Sequence, residues 1–95
     1  MLKREIESRG GMSMKWVSPG TSGVPDRIVL LPGNIIYFVE LKSPKYKRAG
    51  LSELQKVFHD KLKGLGMVVW TLRTTDQLFE FLKTIDHDTS KGSRR

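Results

Sequence analysis

Two β-prone runs separated by three turn residues constrain this chain more than any other feature. Arg27 to Leu31 is short and apolar, Ile35 to Lys42 is β-branched and aromatic, and Pro32-Gly33-Asn34 lies between them. A three-residue hairpin loop pairs Leu31 with Ile35. Counting back from that pair in antiparallel register sets Asp26 opposite Glu40. Directly opposed residues lie roughly 4.5–5.5 Å apart. Like charges so placed repel, and a bound cation reverses the sign of the effect. Strand residues alternate faces, so Ile36, Phe38, Glu40 and Lys42 share one face and Tyr37, Val39 and Leu41 the other. The first face turns from apolar to charged at Glu40, and a charge that close to a core needs a partner or a metal.

The remaining elements follow from periodicity and punctuation. Leu2 to Arg9 reads as a short helix ended by Gly10-Gly11. Met12, Met14 and Trp16 alternate with Ser13 and Lys15, which predicts a strand. Ser18 to Pro25 is a loop whose glycines suit close approach to a DNA backbone. Ser43 to Gly50 is a basic loop. Leu51, Leu54, Val57, Phe58, Leu62 and Leu65 predict an amphipathic helix over 52–65. Met67 to Leu72 is a strand, apolar enough to be buried. A last helix carries Leu78, Phe79, Leu82 and Ile85. The order α-β-β-β-α-β, with a C-terminal helix, predicts an α/β fold: a mixed sheet flanked by helices. It forms one domain over 1–86, with a polar tail over 87–95 expected to be disordered.

Charge points to the partner. Lys and Arg total 17 against 10 acids, a formal charge of +7, which implies an anionic partner, nucleic acid first. The excess is concentrated between Lys42 and Lys63, where seven basic residues face only Glu53 and Asp60. Lys45, Lys47, Arg48 and Lys56 are the candidate DNA contacts. The absence of cysteine excludes disulfides and a cysteine-based zinc site. His59 and His87 have no partner at ligand spacing; His59 reads as a surface or helix-packing residue. Trp16 and Trp70 fall on strands and read as core or interface. No apolar run approaches the ~20 residues of a membrane span, and Met1 to Glu5 lacks a secretory core. An intracellular, cytoplasmic protein is expected.

Two carboxylates and a lysine are the parts of a metal-dependent phosphodiesterase. Asp26 and Glu40 suit a hard divalent ion, Mg²⁺ or Mn²⁺. Such an ion polarises a phosphoryl oxygen and lowers the pKa of bound water. Lys42 is placed to orient that water or to neutralise charge on the phosphate. Taken singly, each residue has a plainer reading. Asp26 after Pro25 fits an ordinary turn, Glu40-x-Lys42 fits a surface pair, and Ser52 with Gln55 fits a capping box. Spacing, strand context and order together favour the catalytic reading.

The text Trp16-Val17-Ser18-Pro19-Gly20-Thr21-Ser22-Gly23-Val24-Pro25-Asp26-Arg27, then Phe38-Val39-Glu40-Leu41-Lys42, then Leu51-Ser52-Glu53-Leu54-Gln55 resembles the VRR-NUC domains of the PD-(D/E)xK nuclease superfamily. The resemblance runs from about Gly10 to Leu82 and implies a restriction-endonuclease-like core. It further implies a divalent-metal DNA endonuclease. Asp26, Glu40 and the backbone carbonyl of Leu41 match metal ligands, Lys42 the catalytic lysine, and Gln55 the glutamine supporting waters or phosphate. A member of this size looks like the phage and prophage forms. Those resemble homodimeric Holliday-junction resolvases, so branched DNA and a second copy are the expected partners and the host cytoplasm the expected location. One departure stands out. The family's first-helix glutamate lies about three turns before the Gly-Gly, whereas here Glu5 and Glu7 are the acids available. Either Glu5 substitutes as a metal ligand or that role is absent. The second alternative leaves a non-catalytic DNA-binding module on the same fold.

Overall fold

The computed structural model describes residues 1–42 and 51–92. Its elements are α1 (Leu2–Ser8), β1 (Met12–Lys15), β2 (Arg27–Leu31), β3 (Ile35–Leu41), α2 (Glu53–Gly64), β4 (Val68–Leu72) and α3 (Thr75–Gly92). The strands form one sheet in the order β1-β2-β3-β4, antiparallel except for the β3–β4 pair. That parallel pair is the one joined through α2, as a crossover requires. The basic segment carrying Lys45, Lys47 and Arg48 lies outside the described residues.

The hairpin has the expected register. Leu31 pairs with Ile35 and Arg27 with Val39, the last pair of the ladder, just before Asp26 on one side and Glu40 on the other. Gly33 (φ 87°) and Asn34 (φ 62°) take the left-handed turn positions, which glycine and asparagine adopt most readily.

The sheet separates two environments. On one face α1 contributes Leu2 and Ile6, and α3 contributes Leu78, Phe81, Leu82 and Ile85. They close on Val29, Leu31, Tyr37, Val39 and Leu72, with Phe81 edge-on to Tyr37 at 5.4 Å. On the other face α2 covers only part of the sheet. Phe58 meets Trp16 edge-on at 5.7 Å, and Trp16 meets Phe38 at 5.4 Å. Met12, Met14 and Ile36 on that face remain exposed.

β1 is a strand, as its alternation predicts; its buried residue is Ser13, opposite Val29 on the core face, while Met12 and Met14 are exposed. One expectation is corrected. β4 is not a buried strand. It is an edge of the sheet, with Leu72 buried and Met67 and Val68 exposed. α3 runs on to Gly92, and two of its polar side chains have partners elsewhere in the fold. Arg9, just after α1, grips both carboxylate oxygens of Asp86, at 2.6 and 3.2 Å. The Tyr37 hydroxyl donates to Asp88, and burial together with that carboxylate raises the phenol pKa. No helix among the described residues is long and apolar enough to cross a membrane.

Tyr37→Phe keeps the ring against Phe81 and removes only the link to Asp88. The expected loss is about 1 kcal/mol of stability by urea denaturation. The last two turns of α3 should also show faster amide exchange.

Candidate active site

The site forms where the open end of the β2–β3 hairpin meets the start of α2. Asp26 is fixed from two sides. Its carbonyl accepts from the Trp16 amide at 2.8 Å, and its Oδ2 accepts from the Leu41 amide at 2.8 Å. The second contact orients the carboxylate across the strand ends towards Glu40.

Glu40 is 3% exposed, an unusual position for a carboxylate. One of its oxygens is satisfied. Oε2 accepts from Gln55 Nε2 at 3.1 Å and lies 3.5 Å from Lys42 Nζ. Oε1 is buried without a hydrogen-bond partner. Burial and the charge of Asp26 raise the Glu40 pKa, and Lys42 opposes them.

α2 reaches the pair through its first turn. Ser52 accepts from the Gln55 amide, and Gln55 Oε1 accepts from the Ser52 amide at 2.9 Å, closing a capping box. The same Oε1 accepts from Lys42 Nζ at 3.1 Å. The capping and catalytic readings of Gln55 are therefore not alternatives in geometry: one amide caps the helix and ties Glu40 to Lys42.

Gly23 brings this helix against the loop that carries Asp26. Its φ is +88°, and a Cβ there would stand 2.4 Å from the Leu54 carbonyl oxygen. The loop glycine thus approaches the α2 backbone, where the sequence suggested approach to DNA. The apolar stripe is only partly inward: Phe58 packs on Trp16 and Leu62 is buried, whereas Leu54, Val57 and Leu65 are exposed. His59 is buried, so of its two readings the helix-packing one holds. Burial and Lys63 lower its pKa, and its Nε2 has no hydrogen-bond partner. Sequence reasoning passed over it because a histidine among apolar helix positions carries no ligand spacing.

Other candidates fall elsewhere. Glu5 pairs with Arg9 at 3.0 Å, and among the described residues no three acidic, histidine or cysteine side chains cluster closely enough to hold a metal. Lys56 is exposed and pairs with Glu53 at 3.5 Å on the outer side of α2.

The residues fit a hard divalent cation. Two facing carboxylates, one with a buried unpartnered oxygen, form an anionic site that a cation would satisfy. Mg²⁺ is commonly held by one or two carboxylates with several waters.

No protein-family model matches the chain. A protein of Acyrthosiphon pisum secondary endosymbiont phage 1, named "Putative nuclease p44", is 43% identical over 75 residues, covering 79% of this chain and 77% of that one. A solved structure titled "VRR_NUC domain" superposes with a TM-score of 0.77 at 29% identity, covering 86% of each chain. Fold and relatives support a nuclease of mixed α/β architecture. The chain belongs to the VRR-NUC family.

Two predictions follow from this geometry. A buried Glu40 with a raised pKa destabilises the metal-free protein as pH rises above the ordinary value of 4.5, because folding then buries a charge. Metal-free Glu40→Gln is therefore expected to be more stable than wild type at neutral pH, by about 1 kcal/mol. The two should converge in acid, as read by thermal unfolding across pH. Added Mg²⁺ or Mn²⁺ should stabilise the wild type only, since ligation needs the ionised carboxylate. Gly23→Ala combines a clash with a disfavoured φ. It should lower stability by about 1–3 kcal/mol and reduce activity further than that loss explains.

Proposed function

We propose that this protein is a structure-selective DNA endonuclease that requires Mg²⁺ or Mn²⁺ and nicks four-way junctions or other branched DNA by phosphodiester hydrolysis. The observation that carries this reading is the buried, unpartnered Oε1 of Glu40 beside Asp26, with Lys42 and Gln55 held on the other oxygen. Asp26, Glu40 and the Leu41 carbonyl are the proposed ligands. A bound divalent ion supplies Lewis-acid polarisation of the phosphate and a more acidic water.

The chain's own groups supply the rest. Asp26 is oriented by the Leu41 amide before any ligand arrives. Glu40 keeps one oxygen on Gln55 and Lys42 and leaves the other for the ligand. Lys42 presents a positive charge where the attacked phosphate gains negative charge, and Gln55 fixes the ammonium through Oε1. In hydrolysis the water oxygen bonds to phosphorus, the opposite P–O bond breaks, and the leaving oxygen takes a proton. The net charge of +7 supports a polyanionic substrate.

The reading includes a homodimer whose two-fold axis would set paired nicks across a junction. Exposed Val68 on β4 and Phe79 on α3 are apolar side chains available to a second copy. The pairing of Glu5 with Arg9 favours a second reading, a DNA-binding module without catalysis. Metal separates the two, because the binder retains DNA affinity without it.

The test is cleavage of end-labelled four-way junction, splayed-arm, flap and linear duplex DNA with Mg²⁺, Mn²⁺ or EDTA. Metal-dependent nicking of the junction is expected, and Glu40→Gln should abolish it. Lys42→Ala should lower kcat by about 10²–10³-fold while leaving the fold intact by circular dichroism. Binding without cleavage under every metal condition overturns the enzyme reading.

A further inference from the structure

α2 buries one titratable side chain that the chemistry above does not use. His59 is 2% exposed, and its Nε2 has no hydrogen-bond partner. It lies one turn beyond Gln55, so the two share the inward face of the helix. Leu54 and Val57 on the same helix are exposed. Apolar burial alone would favour the opposite choice, aliphatic side chains inward and imidazole outward. A buried polar atom left unpartnered is destabilising, and a native protein that keeps one has a use for it or a partner to offer it.

The surroundings identify that use. Charges acting on the imidazole come from Lys63 and Asp60 on its own helix, and from Lys42 and Asp26 across the groove. Glu40 is not among them; it is already served by Gln55. Asp26 has one oxygen held by the Leu41 amide, and no side chain of α2 hydrogen-bonds to it directly. The Asp26 segment lies beside this part of α2: Trp16, whose amide donates to the Asp26 carbonyl, packs edge-on against Phe58, and Gly23 stands against the helix backbone at Leu54.

We propose that His59 is a positioning residue of this site, its Nε2 hydrogen-bonding a water held between α2 and the sheet and through it fixing the Asp26 carboxylate. A water suits the role because the buried Nε2 has no protein partner among the described residues. The effect on rate rests on the nuclease reading above; the hydrogen bond itself does not.

The experiment uses the full chain and three variants. His59→Phe fills the same space without a hydrogen bond, His59→Gln restores one, and Asp26→Asn removes the charge at the far end. His59→Phe should unfold at or above the wild-type temperature, yet cleave the junction with kcat lowered about 10–100-fold and KM unchanged. His59→Gln should recover most of that loss. In the metal-free protein the ¹⁵N resonance of His59 Nε2 should show a hydrogen-bonded nitrogen and should move in Asp26→Asn. Wild-type kcat in His59→Phe overturns the proposal, as does a His59 resonance indifferent to Asp26→Asn. If His59→Phe does not fold, His59→Gln and the resonance decide. If the wild type cleaves no DNA, the nuclease reading fails and the resonance alone decides the positioning role.

Discussion

Burying Glu40 opposite Asp26 is the constraint on which the rest of the molecule turns. A carboxylate 3% exposed and facing a second one is unfavourable by desolvation and by repulsion. The surrounding structure offsets part of that. Gln55 donates to one oxygen, Lys42 stands beside it, and the Leu41 amide holds Asp26 in place. The other Glu40 oxygen has no hydrogen-bond partner among the described residues, and a cation there would offset both costs.

That requirement explains how α2 is attached. Its capping box and its contact with Glu40 and Lys42 use the same glutamine, so the helix cannot shift without disturbing both. Gly23 brings the Asp26 loop into contact with the α2 backbone at Leu54. The two acids and the helix beside them are thereby held together. The large core on the other face, closed by α1 and α3, supplies most of the apolar burial.

The hairpin was legible in advance because its turn residues fix a register, and a register fixes every cross-strand pair. The closing pair of Arg27 with Val39, and with it the neighbourhood of Asp26 and Glu40, follows from that alone. The inward face of α2 was not legible. Of the apolar stripe that periodicity selects, Phe58 and Leu62 turn inward, yet polar contacts at Gln55 and the Gly23 approach bury His59 beside them and leave Leu54, Val57 and Leu65 exposed. β4 reads as a buried strand from its composition, but its place at the edge of the sheet exposes Val68. The end of α3 reads as a polar tail because its partners, Arg9 and Tyr37, are remote in sequence.

The sequence by itself determined the element order, the hairpin register and the identity of the residues at its charged end, since these depend on local turn chemistry and side-chain alternation. Only the tertiary structure decided that one Glu40 oxygen would be left without a partner, that Gln55 would bind two side chains while capping its helix, that Glu5 would be taken by Arg9, and that His59 would be buried. Each of those depends on how elements far apart in the chain rotate and dock, and periodicity within one element carries no information about that.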